Sequence, residues 1–197
     1  MDGTVDETGV DLAAVAEYAR EAHEGQKRKG NHAPYFTHPQ AVADLIRGFG
    51  GDTSVQAAGY LHDVPEDCGG EVRLNEIQSL FGERIANLVL AATDSLSADS
   101  GNKLPWKRRK DEHLAKVSEL VSQGDADAAL LIASDKLSNL SDLADDYERD
   151  GERAFRAFKG GSDGTRWYYR AMRDSIAPLL DERVLARLDE QLARVGA

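Results

Sequence analysis

The chain has 197 residues, 41% of them hydrophobic and 30% charged, which are the proportions of an ordinary globular protein with a buried core. No apolar run approaches the roughly 20 residues of a membrane span, the acidic start "MDGTVDETGV" is unlike a secretory signal, and the single cysteine, Cys68, excludes an internal disulfide and fits a reducing cytoplasm. The net charge of −11 disfavours nucleic acid as a partner, so any anionic ligand needs a locally basic site.

The first half of the chain shows a helical rhythm. Residues 1–10 are polar and acidic and are expected to form a flexible extension, followed by one domain over 11–197. Apolar residues then recur at spacings of three and four, with Asp11 as a predicted N-cap. A second helix is predicted before the glycines at 50–51, and a capping-box pattern at Thr53 and Gln56 predicts the start of a third.

The second half continues in the same way. Helices are predicted at about 85–92, 105–123, 151–159 and 165–195, the last interrupted near Pro178. The most apolar segment, "ALLIASDKLSNLSDLA", also keeps helical spacing. Strand-like alternation is absent, so the sequence predicts an all-α fold of about ten helices.

A histidine and an aspartate stand side by side in "GYLHDVPED". Imidazole and carboxylate together suit divalent manganese, iron or zinc. His62 and Asp63 would need further ligands from other helices, and His38, in "PYFTHP", is one candidate. The other is Asp135, because a lone carboxylate on a strongly apolar helix is costly to bury unless it is paired or bound to a cation.

An acidic pair, Glu66 and Asp67, follows four positions after the first pair. A carboxylate beside a metal can orient or deprotonate an attacking water. Pro65 lies between the pairs, and its ring predicts that the helix kinks or ends near Val64.

Two basic clusters supply local positive charge in a chain whose net charge is negative. "QKRKG" and "PWKRRK" each offer cations that could meet phosphates. Asn139 follows Asp135 by four positions, on the same helical face, and could contact a base or a ribose hydroxyl.

Over about residues 10–145 the chain resembles the HD hydrolase domain of RelA/SpoT-type alarmone enzymes. The resemblance rests on four segments that follow one another in the same order: "KRKGNHAPYFTHP", "GYLHDVPED", "LFGERI" and "ASDKLSNL". The resemblance implies an HD-type helical bundle and a stand-alone, cytoplasmic alarmone hydrolase. It also implies a nucleotide as its partner, with no nucleic acid and no membrane.

The resemblance further implies a role for individual residues. Four side chains would bind a divalent metal, usually Mn²⁺: His38, His62, Asp63 and Asp135. Glu66 and Asp67 would be the catalytic acids. Four residues would bind the nucleotide: Arg28, Lys29, Lys136 and Asn139. The implied reaction is Mn²⁺-dependent removal of the 3′-pyrophosphate from (p)ppGpp, giving GDP or GTP.

Two alternatives remain open. Many relatives place an arginine where this chain has Ser141, so the substrate could be (p)ppApp or another 3′-phosphorylated nucleotide such as NADPH. The second alternative is a module that binds an alarmone without cleaving it.

Overall fold

A computed structural model describes residues 9–28, 32–94, 96 and 104–197. Within these ranges every regular element is a helix: ten α-helices and two short 3₁₀ helices. The expected all-α fold is therefore confirmed. The proposed flexible extension falls mostly on residues 1–8, which lie outside the described residues.

The described residues divide into two compact units, and the single domain over 11–197 stays a prediction. The first unit contains six helices: α1 (Leu12–Ala22), α2 (Thr37–Phe49), α3 (Thr53–Leu61), α4 (Val64–Cys68), α5 (Glu71–Phe81) and α6 (Glu83–Ala92). Helix α3 packs against α1, α2 and α6, so it lies at the centre of this unit.

Local sequence signals explain where these helices begin and end. Asp11 caps α1 as predicted, because its carboxylate accepts a hydrogen bond from the backbone N–H of Ala13 at 2.9 Å. Helix α2 ends at Gly50, whose φ of 91° suits glycine. The predicted capping box at Thr53 is wrong: the cap is Asp52, one residue earlier, which accepts from the N–H of Val55 at 3.1 Å.

The chain breaks its helix between the two acidic pairs. Helix α3 ends at Leu61, and the short helix α4 begins at Val64 with Pro65 in its first turn. Proline is tolerated there, because the first helical N–H groups have no partner within their own helix. The predicted break is confirmed, and Pro65 starts a new helix.

The second unit contains α7 (Trp106–Ser122), α8 (Ala126–Asp150), α9 (Gly161–Ile176) and α10 (Glu182–Arg194). A 3₁₀ helix (Gly151–Ala157) stands where an α-helix over 151–159 was expected. A second one, Ala177–Leu179, contains Pro178 and provides the predicted interruption between α9 and α10.

Helix α8 is the core of the second unit. It packs against α7, α9, α10 and the first 3₁₀ helix, and its apolar residues are largely buried. No helix among the described residues combines the length and the apolar character that crossing a membrane requires.

Candidate metal centre

Two buried imidazoles and a carboxylate meet in the first unit. The Nε2 atom of His62 lies 3.2 Å from Oδ2 of Asp63, and Nε2 of His38 lies 3.5 Å from the same oxygen. The two histidine rings meet edge to face with their centroids 5.1 Å apart. Three of the four predicted metal ligands are therefore neighbours.

Helix ends fix the direction of these side chains. His38 stands in the first turn of α2, and His62 follows the last residue of α3. The Nδ1 atom of His62 is 2.8 Å from the carbonyl oxygen of Gly59. Because a carbonyl only accepts, Nδ1 carries the proton and a neutral ring keeps its lone pair on Nε2, on the side of Asp63. This is the tautomer that a metal ligand needs.

A tyrosine that the sequence analysis did not select completes this cluster. The Tyr35 hydroxyl donates to Oδ2 of Asp63 at 2.7 Å. Burial, and then the charges of Asp63 and Asp67, raise the pKa of Tyr35, so it stays a donor. Its place three residues before His38, in "PYFTHP", was the available signal.

The fourth predicted ligand, Asp135, lies in the middle of α8 and is 6% exposed. One of its oxygens is 2.5 Å from Nζ of Lys136, and the other accepts from Nδ2 of Asn139 at 2.6 Å. Burial alone would lower the pKa of Lys136, but the Asp135 carboxylate raises it well above its usual value. The pairing offsets much of the cost of burying this carboxylate, so its burial does not by itself require a cation.

The donor set fits a divalent metal ion. Within the first unit, the Nε2 atoms of His38 and His62 both lie within 3.5 Å of one carboxylate oxygen of Asp63. Imidazole nitrogens with carboxylate oxygens suit several divalent transition metals, and nothing in the donor set selects manganese among them.

The acidic pair stands on α4. Glu66 is half-buried, and Asp67 lies at the surface. Although Asp67 is exposed, nearby protein atoms remove part of the hydration of its carboxylate, and this desolvation and then the charge of Asp63 raise its pKa. A hydrogen bond with Tyr35 acts in the opposite direction.

The structure describes three of the four predicted nucleotide-binding residues. The guanidinium of Arg28 lies 5.7 Å from the ring centroid of Tyr35. Lys29 lies outside the described residues. Lys136 and Asn139 both contact Asp135, and the hydroxyl of Ser141 donates to the carbonyl of Leu137 at 2.9 Å.

The second basic cluster, Lys107 to Lys110, stands on α7. Lys107 and Arg108 each pair with a carboxylate four residues later on the same helix. Lys107 also lies 4.0 Å from the ring centroid of Trp167, and Lys110 lies 4.6 Å from that of Tyr168. These contacts describe a charged, aromatic-lined helix face.

Comparison with known proteins identifies the class of this fold and site. The chain belongs to the HD domain family, whose model matches residues 15–158. The expected HD fold is therefore confirmed, and this fold together with the cluster of His38, His62 and Asp63 indicates a divalent metal site.

Individual proteins match the chain more specifically than the family model does. The chain is 36% identical to the guanosine-3′,5′-bis(diphosphate) 3′-pyrophosphohydrolase MESH1 of Xenopus tropicalis, over 67% of this chain and 69% of that protein. It is 46% identical to a probable enzyme of the same name from Synechocystis, over 39% of this chain. The chain spans only 10% of that Synechocystis relative.

Solved structures show the same fold. A metazoan SpoT orthologue, described as hydrolysing ppGpp, superposes with a TM-score of 0.74 over 94% of this chain and 95% of that one, at 23% identity. A protein of Listeria monocytogenes superposes with a TM-score of 0.66 at 27% identity, over 83% of this chain and 98% of that one.

Proposed function

We propose that this chain is a metal-dependent 3′-pyrophosphohydrolase of guanosine alarmones. It would convert ppGpp or pppGpp to GDP or GTP and release pyrophosphate. The observation that carries the proposal is the convergence of His38, His62 and Asp63, followed on the next helix by two carboxylates. The similarity to the Xenopus and Synechocystis relatives supports the choice of substrate.

The proposed ligands are His38, His62, Asp63 and Asp135, with Mn²⁺ as the proposed ion. A divalent ion held there supplies Lewis-acid chemistry toward water and phosphate. The imidazoles of His38 and His62 and the carboxylate of Asp135 are buried, whereas the Asp63 side chain is partly exposed. Nitrogen and oxygen donors of these kinds suit a divalent transition metal.

The acids on α4 are proposed to handle the proton of the attacking water. Glu66 or Asp67 would orient that water and accept its proton as the water oxygen bonds to the phosphorus nearest the ribose. The bond from this phosphorus to the 3′ oxygen then breaks, and the 3′ oxygen takes up a proton. The raised pKa of Asp67 moves this carboxylate toward the range in which a general base works near neutral pH.

Basic and polar side chains are proposed to hold the nucleotide. Arg28 and Lys29 would contact it from the segment between α1 and α2. Lys136 and Asn139 are proposed both to orient Asp135, which they contact, and to face the substrate. A cytoplasmic location is part of the same proposal, because a single cysteine fits a reducing compartment.

Hydrolysis of (p)ppApp or of another 3′-phosphorylated nucleotide remains the second candidate. The Ser141 hydroxyl bonds to its own helix, and serine lacks the planar cation that an arginine would present at this position. Base choice therefore belongs in the test of the proposal.

The test combines metal titration with product analysis. The purified protein is titrated with Mn²⁺ by calorimetry and then incubated with ppGpp, ppApp and NADPH, and the products are separated by ion-exchange chromatography. We expect pyrophosphate and GDP from ppGpp. We expect Asp63→Ala and Asp135→Ala to lose both metal binding and turnover.

Variants of the acidic pair separate chemistry from binding. Glu66→Gln and Asp67→Asn should keep Mn²⁺ affinity, and the one that removes the general base should lower kcat by roughly 10²–10⁴-fold. Asp44→Asn is the matched control, since Asp44 is a surface carboxylate on α2 that pairs with Arg47. Mn²⁺-loaded protein that binds ppGpp and never releases pyrophosphate would establish a binding module instead.

A further inference from the structure

The cluster around Asp63 includes a hydroxyl donor to which no role has been assigned. The Tyr35 hydroxyl donates to Oδ2 of Asp63 at 2.7 Å, and the same oxygen faces Nε2 of both His38 and His62. A carboxylate oxygen has two lone pairs, so one can accept from Tyr35 while the other faces the imidazoles. A hydrogen bond at this place limits rotation of the carboxylate about its last torsion.

The backbone and the ring of Tyr35 are themselves held in place. The Tyr35 N–H donates to the carbonyl of Gln26 at 3.0 Å, and the Tyr35 carbonyl accepts from the N–H of His38 at the same distance. The ring lies 4.7 Å, centroid to centroid, from the ring of His23. Tyr35 is therefore anchored both to the end of α1 and to the start of α2.

His23 is buried, with 2% of its surface exposed, and is fixed by polar contacts. Its Nδ1 atom lies 2.9 Å from Oε1 of Gln26 and 3.6 Å from Sγ of Cys68. Cys68 is the last residue of α4, directly after Asp67, and its thiol donates to the carbonyl of Ala22 at 3.3 Å. These contacts connect the end of α1 to the helix that carries the acidic pair.

The backbone joins the same aspartate to the second acid. The Asp67 N–H donates to the carbonyl of Asp63 at 2.9 Å. The residue that Tyr35 holds is thus proposed to bind the metal and is hydrogen-bonded to the residue whose carboxylate is proposed to handle the proton.

We propose that Tyr35, with its ring held by His23, is a positioning residue that fixes the Asp63 carboxylate for metal binding. The inference rests on the proposed function in that Asp63 is taken as a metal ligand. Hydrogen bonds to ligating side chains typically change metal affinity by about 10–100-fold when they are removed.

The deciding measurement is the affinity of the metal-free protein for Mn²⁺, determined by calorimetry. Tyr35→Phe removes only the hydroxyl and keeps the ring against His23, and we expect it to weaken Mn²⁺ binding by about 10–100-fold. Tyr18→Phe is the matched control, because Tyr18 also donates to a carboxylate, Glu76, at 2.8 Å. It should bind Mn²⁺ as the wild-type protein does.

Kinetics at saturating Mn²⁺ give a second readout of the inference. With the metal site filled, Tyr35→Phe should keep the KM for ppGpp and lower kcat, because the Asp63 carboxylate has lost a restraint. Wild-type values of both kcat and KM at saturating Mn²⁺ would show that the hydroxyl does not position Asp63 for turnover.

A double variant tests whether His23 acts through Tyr35. His23→Ala should weaken Mn²⁺ binding less than Tyr35→Phe, and the double variant should bind no more weakly than Tyr35→Phe alone. Additive effects would show that His23 acts independently and would overturn that step. If His23→Ala does not fold, His23→Gln takes its place.

Failure of the inference and failure of the proposed function give different results. Wild-type protein that does not bind Mn²⁺ would refute the proposed metal site. If the wild-type protein and Tyr35→Phe bind Mn²⁺ with the same affinity, the role of Tyr35 is overturned and the proposed metal site is not.

Discussion

The packing of α2 on α3 depends on Gly59, and Gly59→Ala tests it. A Cβ at this position would lie 2.7 Å from Cδ1 of Ile46, 3.1 Å from Cα of Ala43 and 3.2 Å from N of Ala43. Both neighbours are on α2 and are buried. The end of the Ile46 side chain can rotate, but the backbone of Ala43 cannot, so the helices must separate by a few tenths of an ångström.

Two opposing effects set the change in the free energy of unfolding of Gly59→Ala. Alanine is favoured over glycine inside a helix by about 1 kcal/mol. Overpacking a buried contact costs about 1–3 kcal/mol. We therefore expect a net loss of about 1 kcal/mol in the free energy of unfolding, which corresponds to a fall in Tm of about 2–4 °C for a chain of this size.

The same change should reach the metal site. The Gly59 carbonyl accepts from Nδ1 of His62, and α2 carries His38. Moving α2 away from α3 alters the relation between the two imidazoles. We expect weaker Mn²⁺ binding in Gly59→Ala, measured by the same calorimetric titration.

The matched control is Gly48→Ala. Gly48 is an exposed residue of α2, and a Cβ there would meet no atom within 4 Å. It should stabilise the protein by up to about 1 kcal/mol and leave Mn²⁺ affinity unchanged. Urea denaturation gives the free energy of unfolding of each variant from the midpoint and slope of its transition. If Gly59→Ala is as stable as Gly48→Ala, the helix contact is not as close as we describe.

Three further predictions concern capping, packing and metal removal. Burial alone would raise the pKa of Asp52, but the hydrogen bonds from Arg84 and from the N–H of Val55 lower it overall. Its stabilisation is therefore complete above the unfolded pKa of about 3.9 and is lost as the pH falls through the lower folded value. Asp52→Ala should thus lose about 0.5–2 kcal/mol at pH 7 and much less at pH 2, measured by urea denaturation. Gly160→Ala should destabilise the second unit by about 1–3 kcal/mol, because its Cβ would lie 2.6 Å from the Trp106 ring. EDTA should lower Tm by about 5–10 °C relative to protein with Mn²⁺ at 100 times its Kd, because that binding adds about 2.7 kcal/mol.

Each of these predictions has a result that contradicts it. An Asp52→Ala effect of equal size at pH 7 and pH 2 would mean that the ionised cap is unimportant. Unchanged stability of Gly160→Ala would show that the Trp106 ring can move aside. An identical Tm with EDTA and with Mn²⁺ would argue against any bound divalent ion.

The candidate site was largely predictable as a set of residues, but its contacts were not. The sequence singled out His38, His62 and Asp63, because an imidazole beside a carboxylate is chemically distinctive, and the structure brings these three together. It did not single out Tyr35, whose partner Asp63 is 28 residues away. Nor did it predict that Asp135 pairs with Lys136, its neighbour along the chain.

The sequence by itself determined most of the helices, since spacings of three and four and caps such as Asp11 are properties of neighbouring residues. It also predicted the break near Pro65, because proline acts on the turn that contains it. Tertiary structure alone decided which side chains meet, including the hydroxyl of Tyr35 on Asp63 and the close approach of Gly59 to Ala43. Those contacts depend on how separate helices pack, and periodicity along one helix carries no information about the residues of another.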